Sequence, residues 1–314
     1  MMQLKDIARV ALILLSCCPV LSIGQEDNSN FEKEKSAAVE DLRNYTRQDT
    51  SRVNALLRVC RTATFLKERQ AVAGYRDEAM LLSRRLNYTR GLAICYLSFG
   101  NYYKSAFNYP LAFIYYDSVL GVVKQSGGTE LLEQKSVAYE RKGMMYHSQE
   151  NYYPALDCYF EALKSMTNKS GGNEARIYSF ITDAYVGLRN FDKAVEYATK
   201  NLAMLESDSN ALNHASTIFS LVNSYLGKND IQAAEKYLDR LTSYMPDARE
   251  TQVNFGYYLK KGTIHYMRGN YENAFAYYQL ANKYAISGGF YNETGIFPGI
   301  LFRRYSLKVS VDQM

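Results

Sequence analysis

The sequence predicts an all-α protein made of about six helix–turn–helix units, and three observations carry that prediction. An alanine just behind a turn such as "ENYYPA" or "GNYENA" recurs at Ala112, Ala155, Ala194, Ala234 and Ala274, at intervals of 43, 39, 40 and 40 residues. Aromatic residues keep register with it: Tyr103, Tyr146, Tyr185, Tyr225 and His265 stand nine residues before, and Tyr96, Tyr139, Tyr178, Ile218 and Tyr258 stand sixteen before. The spacing inside a unit is helical. Tyr96, Phe99, Gly100 and Tyr103 form one stripe of a first helix, and Ala112, Tyr116 and Val119 one stripe of a second.

The elements follow in order. Lys5 and Arg9 precede an apolar run from Val10 to about Ile23, too short for a comfortable membrane span, and small residues lead to Gln25. This predicts a signal peptide over residues 1–24. Cys17 in "LLSC" offers a lipidation site instead, and an uncleaved leader would be an anchor; each outcome places the rest outside the cytoplasm, periplasmic or secreted. Residues 25–49 supply a capping helix, near 31 to 45, and a linker. Units are expected at about 50–87, 88–128, 129–171, 172–208, 209–247 and 248–286, the first of them degenerate around Ala71, with a tail or capping helix over 287–314. Within the turns, Asn108, Asn151, Asn190 and Asn270 are expected to cap the second helices. Pro110 and Pro154 fall in the first helical turn, where a missing amide proton costs little. Gly100 and Ala112 lack bulk, so paired helices can approach closely while tyrosines fill the flanking grooves.

Composition narrows the function classes. The charge of +5 has no long Lys/Arg run behind it, and the 29 tyrosines stand at helix-interface positions without interleaved arginines, so no nucleic-acid partner is expected. Cys60, Cys95 and Cys158 are the cysteines beyond the leader; they read as small apolar side chains in helix interfaces, with a Cys60 to Cys95 bridge left open. No HExxH, GxxxxGK[ST], GxGxxG or GxSxG occurs, His265 occupies a packing slot, and neither catalytic residues, a metal nor a cofactor is expected. Asn44, Asn87 and Asn168 fit the glycosylation pattern, which matters only in a eukaryotic secretory pathway.

Tyr139, Gly143, Tyr146, Ala155, Tyr159 and Ala162, and again Tyr258, Gly262, Ala274, Tyr278 and Ala281, resemble the tetratricopeptide repeat. The resemblance covers about residues 50–286; the fifth unit departs from it with Val222 for glycine but keeps Pro246. It implies an α-solenoid, a right-handed superhelix with a concave groove lined by the first helices. Stretched repeats behind a leader, and the opening "RQDTSRVNALLRV", resemble the exported sensor regions of bacterial histidine kinases and related regulators. The family's concave positions fall here on Leu97, Asn101, Lys104, Glu140, Met144, His147, Arg176, Ser179, Asp183, Phe219, Asn223, Leu259, Thr263 and Tyr266. Asn101 and Asn223 resemble the asparagines with which the family bonds a ligand backbone; Lys104 and Arg176 do not match the spacing of its carboxylate clamp. The expectation is an exported, non-catalytic scaffold with a protein or peptide partner, touching membrane only through its leader. The alternative is the sensor module of a two-component system lacking its transmitter.

Overall fold

The structure, a computed structural model, describes residues 28–65, 73–127, 129–167, 172–205, 211–244 and 251–287. The leader with Cys17 and Gln25, and Ala71, Asn168, Pro246 and the stretch after 287, lie outside the described residues. The chain divides into two compact units, one of Gln25–Lys169 and the other running on from Ser170.

The first unit holds α1 (Asn28–Asn44), α2 (Thr50–Phe65), α3 (Ala73–Arg85), α4 (Thr89–Ser105), α5 (Tyr109–Ser126), α6 (Leu132–Ser148) and α7 (Tyr152–Ser165). The second holds α8 (Gly172–Gly187), α9 (Phe191–Met204), α10 (Ala211–Gly227), α11 (Ile231–Arg240), α12 (Thr251–Met267) and α13 (Tyr271–Ser287). No strand occurs among the described residues. Each helix packs on the next in its unit, and alternate helices also touch: α2, α4 and α6 in one unit, α8, α10 and α12 in the other. Helix α1 closes the first unit by placing Ala38 and Leu42 against Val53 and Leu56, with ion pairs Arg58–Asp41 and Arg61–Glu34 at the rim.

One turn geometry joins the paired helices. Phe107, Glu150, Arg189, Asn229 and Gly269 take φ of 57°, 59°, 58°, 61° and 80°. The amide of the following residue then donates back to the carbonyl of Tyr103, Tyr146, Tyr185, Tyr225 or His265, each at 2.9 Å. This long-range bond closes the C-terminus of the first helix, as in a Schellman motif. Asn108, Asn190 and Asp230 next cap the second helix, their side chains accepting from Leu111, Lys193 and Ala233 at 3.3, 3.2 and 2.9 Å. Asn151 makes no such bond. The amide that a cap should receive belongs here to Pro154, which has no N–H, so the expected cap is absent.

The tyrosines divide into two columns. Tyr116, Tyr159 and Tyr278 lie flat on Gly100, Gly143 and Gly262, where an added Cβ would stand 2.5, 2.5 and 2.7 Å from a ring atom. Where Val222 replaces glycine, Leu238 replaces the tyrosine, and both sit in one core cluster. The second column, Tyr115, Tyr197, Tyr237 and Tyr277, is half-buried and stacks on Tyr103, Tyr185, Tyr225 and His265 at 5.4, 5.4, 5.4 and 5.1 Å. Cys158 takes this place in α7, and Tyr146 instead meets Phe113 at 4.8 Å with the rings tilted by 45°. The three thiols are buried, and burial pushes Cys60 up to about 12 and Cys95 and Cys158 up to about 11.

Candidate functional face

The first-helix residues singled out in the sequence fall into two groups, one in each compact unit. In the first unit, α4 and α6 bring Leu97, Asn101, Lys104, Glu140, Met144 and His147 onto neighbouring helices. Three of these turn inward. Leu97 and Glu140 are buried, and His147 is engaged from α7, with Tyr152 at 5.3 Å and the Tyr159 hydroxyl 3.4 Å from Nδ1. Burial brings the His147 imidazole down to about 4.

Asn101 also has an internal task, because Tyr116 donates its hydroxyl to Asn101 Oδ1 at 2.8 Å. Tyr278 likewise reaches Thr263 at 3.4 Å. A tyrosine buried over glycine must find a partner for its hydroxyl, and in these two pairs the residue that follows the glycine supplies it. Asn101 therefore has a structural task, whereas in the unit of Asn223 the tyrosine slot holds Leu238.

What stays at the face is cationic. Lys104 carries an ammonium that no hydrogen bond or ion pair reaches among the described residues. Burial and the neighbouring Arg141 bring it down to about 8, with Glu140 opposing. Arg141, which the sequence reading passed over, sets Nη1 3.7 Å from Glu140 Oε1 and 3.4 Å from Met144 Sδ.

In the second unit, Ser179, Phe219, Asn223 and Thr263 are buried, and they fill the contacts between successive first helices rather than lining an open groove. Phe219 lies where a Cβ on Gly256 would be, 2.5 Å from that position. Asn201, on α9, staples the layer together by donating to the Ala175 carbonyl at 2.9 Å, Ser179 Oγ at 3.1 Å and Thr217 Oγ1 at 2.9 Å. Arg176, Asp183, Leu259 and Tyr266 remain half-buried, with Tyr266 against Tyr271 at 5.4 Å. Ser220 donates to Asp183 at 2.9 Å, and burial pushes that carboxyl up to about 6 against the pull of Ser220 and Lys260. Ser220 and Lys260 are the members of this group that the sequence reading missed.

No protein-family model and no curated protein matches the chain. Solved structures do. A Rap protein complexed with competence and sporulation factor is 15% identical, over 91% of this chain and 78% of that one, with a TM-score of 0.61. Aspartyl phosphate phosphatase F from Bacillus subtilis is 12% identical, over 92% and 76%, with a TM-score of 0.60. The C-terminal part of a TPR repeat-containing protein from Cytophaga hutchinsonii is 13% identical, over 89% and 98%, with a TM-score of 0.51. The fold is that of the tetratricopeptide-repeat proteins. The first-helix face of the first unit carries the Asn101 amide and two cations, Lys104 and Arg141. In the other unit Asp183 is half-buried and Lys260 is buried. No group of side chains able to hold a metal ion occurs among the described residues.

Proposed function

We propose that the chain is a non-catalytic scaffold that holds a protein partner on the first-helix faces, and that the α4–α6 face takes an acidic segment. The Lys104–Arg141 pair carries this reading. A desolvated ammonium without an ion-pair partner, beside a guanidinium that Glu140 already pairs, is a cost in the isolated protein that a ligand carboxylate would remove. Asn101, its oxygen fixed by Tyr116, has an amide N–H2 left to donate to a ligand backbone. The Rap complex supports it as a case of the same fold with a factor bound. The test is a photo-crosslinking amino acid at position 104, with position 153 on the exposed part of α7 as the control. Specific proteins captured from 104 and not from 153, with yield falling as pH is raised past 8, are the expected result. Equal capture from both positions would overturn the assignment.

The leader supports export of this scaffold, and the mass of the protein purified from its own cells tests it: loss of residues 1–24, or a lipid on Cys17, is expected. The sensor-module reading rests on the resemblance of the repeats to histidine-kinase sensors, and a native product carrying an apolar span of about 20 residues after the repeats would favour it.

A further inference from the structure

Arg76 lies on α3, and only 6% of it is exposed. Its guanidinium carbon stands 4.3 Å from the Phe99 ring centroid and 4.4 Å from that of Tyr102. Phe99 is itself stacked on Tyr115 at 5.0 Å, and Tyr115 on Tyr103 at 5.4 Å, so the walls around the cation are held from behind. Cation–π contacts satisfy the face of a guanidinium and leave its in-plane N–H donors unused. Here they are unused: Nε is enclosed without a hydrogen-bond partner, and no carboxylate among the described residues pairs with the group. Asp77, next along α3, is exposed and acts on Tyr115 and Cys60 only through its field.

Among the described residues Lys200, over Tyr178 at 4.9 Å, also lacks a carboxylate but is exposed to water, and the other cations against rings are treated differently. Lys135, Lys142 and Lys261 each meet a carboxylate as well, on Glu161, Asp117 and Asp239 respectively. Arg76 has the rings and lacks the acid. A rigid fork with charged donors left unfilled in a desolvated position matches the two coplanar oxygens of a carboxylate or a phosphate.

We propose that Arg76, walled by Phe99 and Tyr102, is a binding site for an oxyanion, the phosphate or carboxylate group of a ligand. The site is distinct from the one assigned to the acidic segment, since its cation is another one, on α3, although its walls, Phe99 and Tyr102, stand on α4. Phosphate and acetate, each titrated against chloride at equal ionic strength, supply the test, followed by 15N NMR on the full chain through the Arg76 Nε–H resonance and, in every variant, the backbone amides of Phe99 and Tyr102. A saturable shift with phosphate assigns the phosphate class, and one with acetate the carboxylate class. Arg76→Lys keeps the charge and loses the fork, and should weaken that binding by roughly tenfold, about the worth of one charge-assisted hydrogen bond. Arg85→Met, an exposed neighbour on the same helix, should leave it unchanged. Should Arg76→Lys fail to fold, Tyr102→Leu serves instead, since it removes one wall and keeps the guanidinium. Drift that follows ionic strength alike for phosphate, acetate and chloride, or binding that survives both variants, would overturn the proposal.

Discussion

At the scale of single residues, the turns show how one sequence pattern can hide two physical situations. "RNFDKA" and "ENYYPA" both place an asparagine before the second helix, yet Asn190 caps α9 through Lys193 N while Asn151 caps nothing. Asn190→Ala should therefore cost about 1 kcal/mol of stability in urea unfolding, and Asn151→Ala only a few tenths. Pro154→Ala restores the missing amide, so in that background Asn151→Ala should become as costly as its counterpart. Phe107 gives a second case. It is 82% exposed and held at φ 57°, so Phe107→Gly should relieve left-handed strain and stabilise the protein by about 1 kcal/mol. The positions of four turns were legible from an Asn-aromatic pair at a set distance from the anchor alanine, and that before Ala234, which reads Asp230-Ile231, from the distance alone. The absent cap at Asn151 was legible too, since Pro154 stands where the donating amide would be, but reading it requires knowing which amide a cap receives.

At the scale of elements, paired helices are fitted by complementary bulk. Gly143 and Tyr159 share one contact and Val222 and Leu238 fill the equivalent one, so the sum is conserved while the partition changes. Gly143→Ala should push against the Tyr159 ring and cost about 1–3 kcal/mol, measured as a fall in the urea midpoint at constant slope. Adding Tyr159→Leu should recover part of that loss, which a purely backbone effect of alanine would not allow. The glycine and tyrosine slots were readable from spacing alone. The half-buried ladder of Tyr115, Tyr197, Tyr237 and Tyr277 had an equally regular signal, three residues past each anchor, and it explains much of the tyrosine content. The candidate face was harder. Register assigns a residue to a side of its helix, but how closely α8, α10 and α12 approach decides whether Ser179, Phe219 and Asn223 line a groove or fill a seam. Arg76 was out of reach for a related reason, because its rings come from α4 and only packing of α3 on α4 brings them together.

At the scale of the whole molecule, the two compact units carry buried titratable groups of opposite tendency, and their stabilities should respond to acid in opposite directions. His147 is brought down to about 4 in the folded first unit and titrates near 6.5 in an unfolded chain. Between those values the unfolded state binds the extra proton, so this unit is at full strength above pH 6.5 and weakens as pH falls toward 4. Asp183 is pushed up to about 6 in the folded second unit, against an ordinary value of 3.8. Between 6 and 3.8 the folded state binds the extra proton, so the second unit gains stability as pH falls through that window. Each effect is on the order of 2–3 kcal/mol, since one pKa unit corresponds to about 1.4 kcal/mol. Native-state hydrogen exchange read separately over residues 28–167 and 172–287 should show protection falling in the first range and rising in the second between pH 6.5 and pH 4.5. Asp183→Asn should flatten the response of the second range alone, and His147→Gln that of the first alone. Parallel slopes in both ranges would mean that the units unfold as one, with neither residue setting the local response.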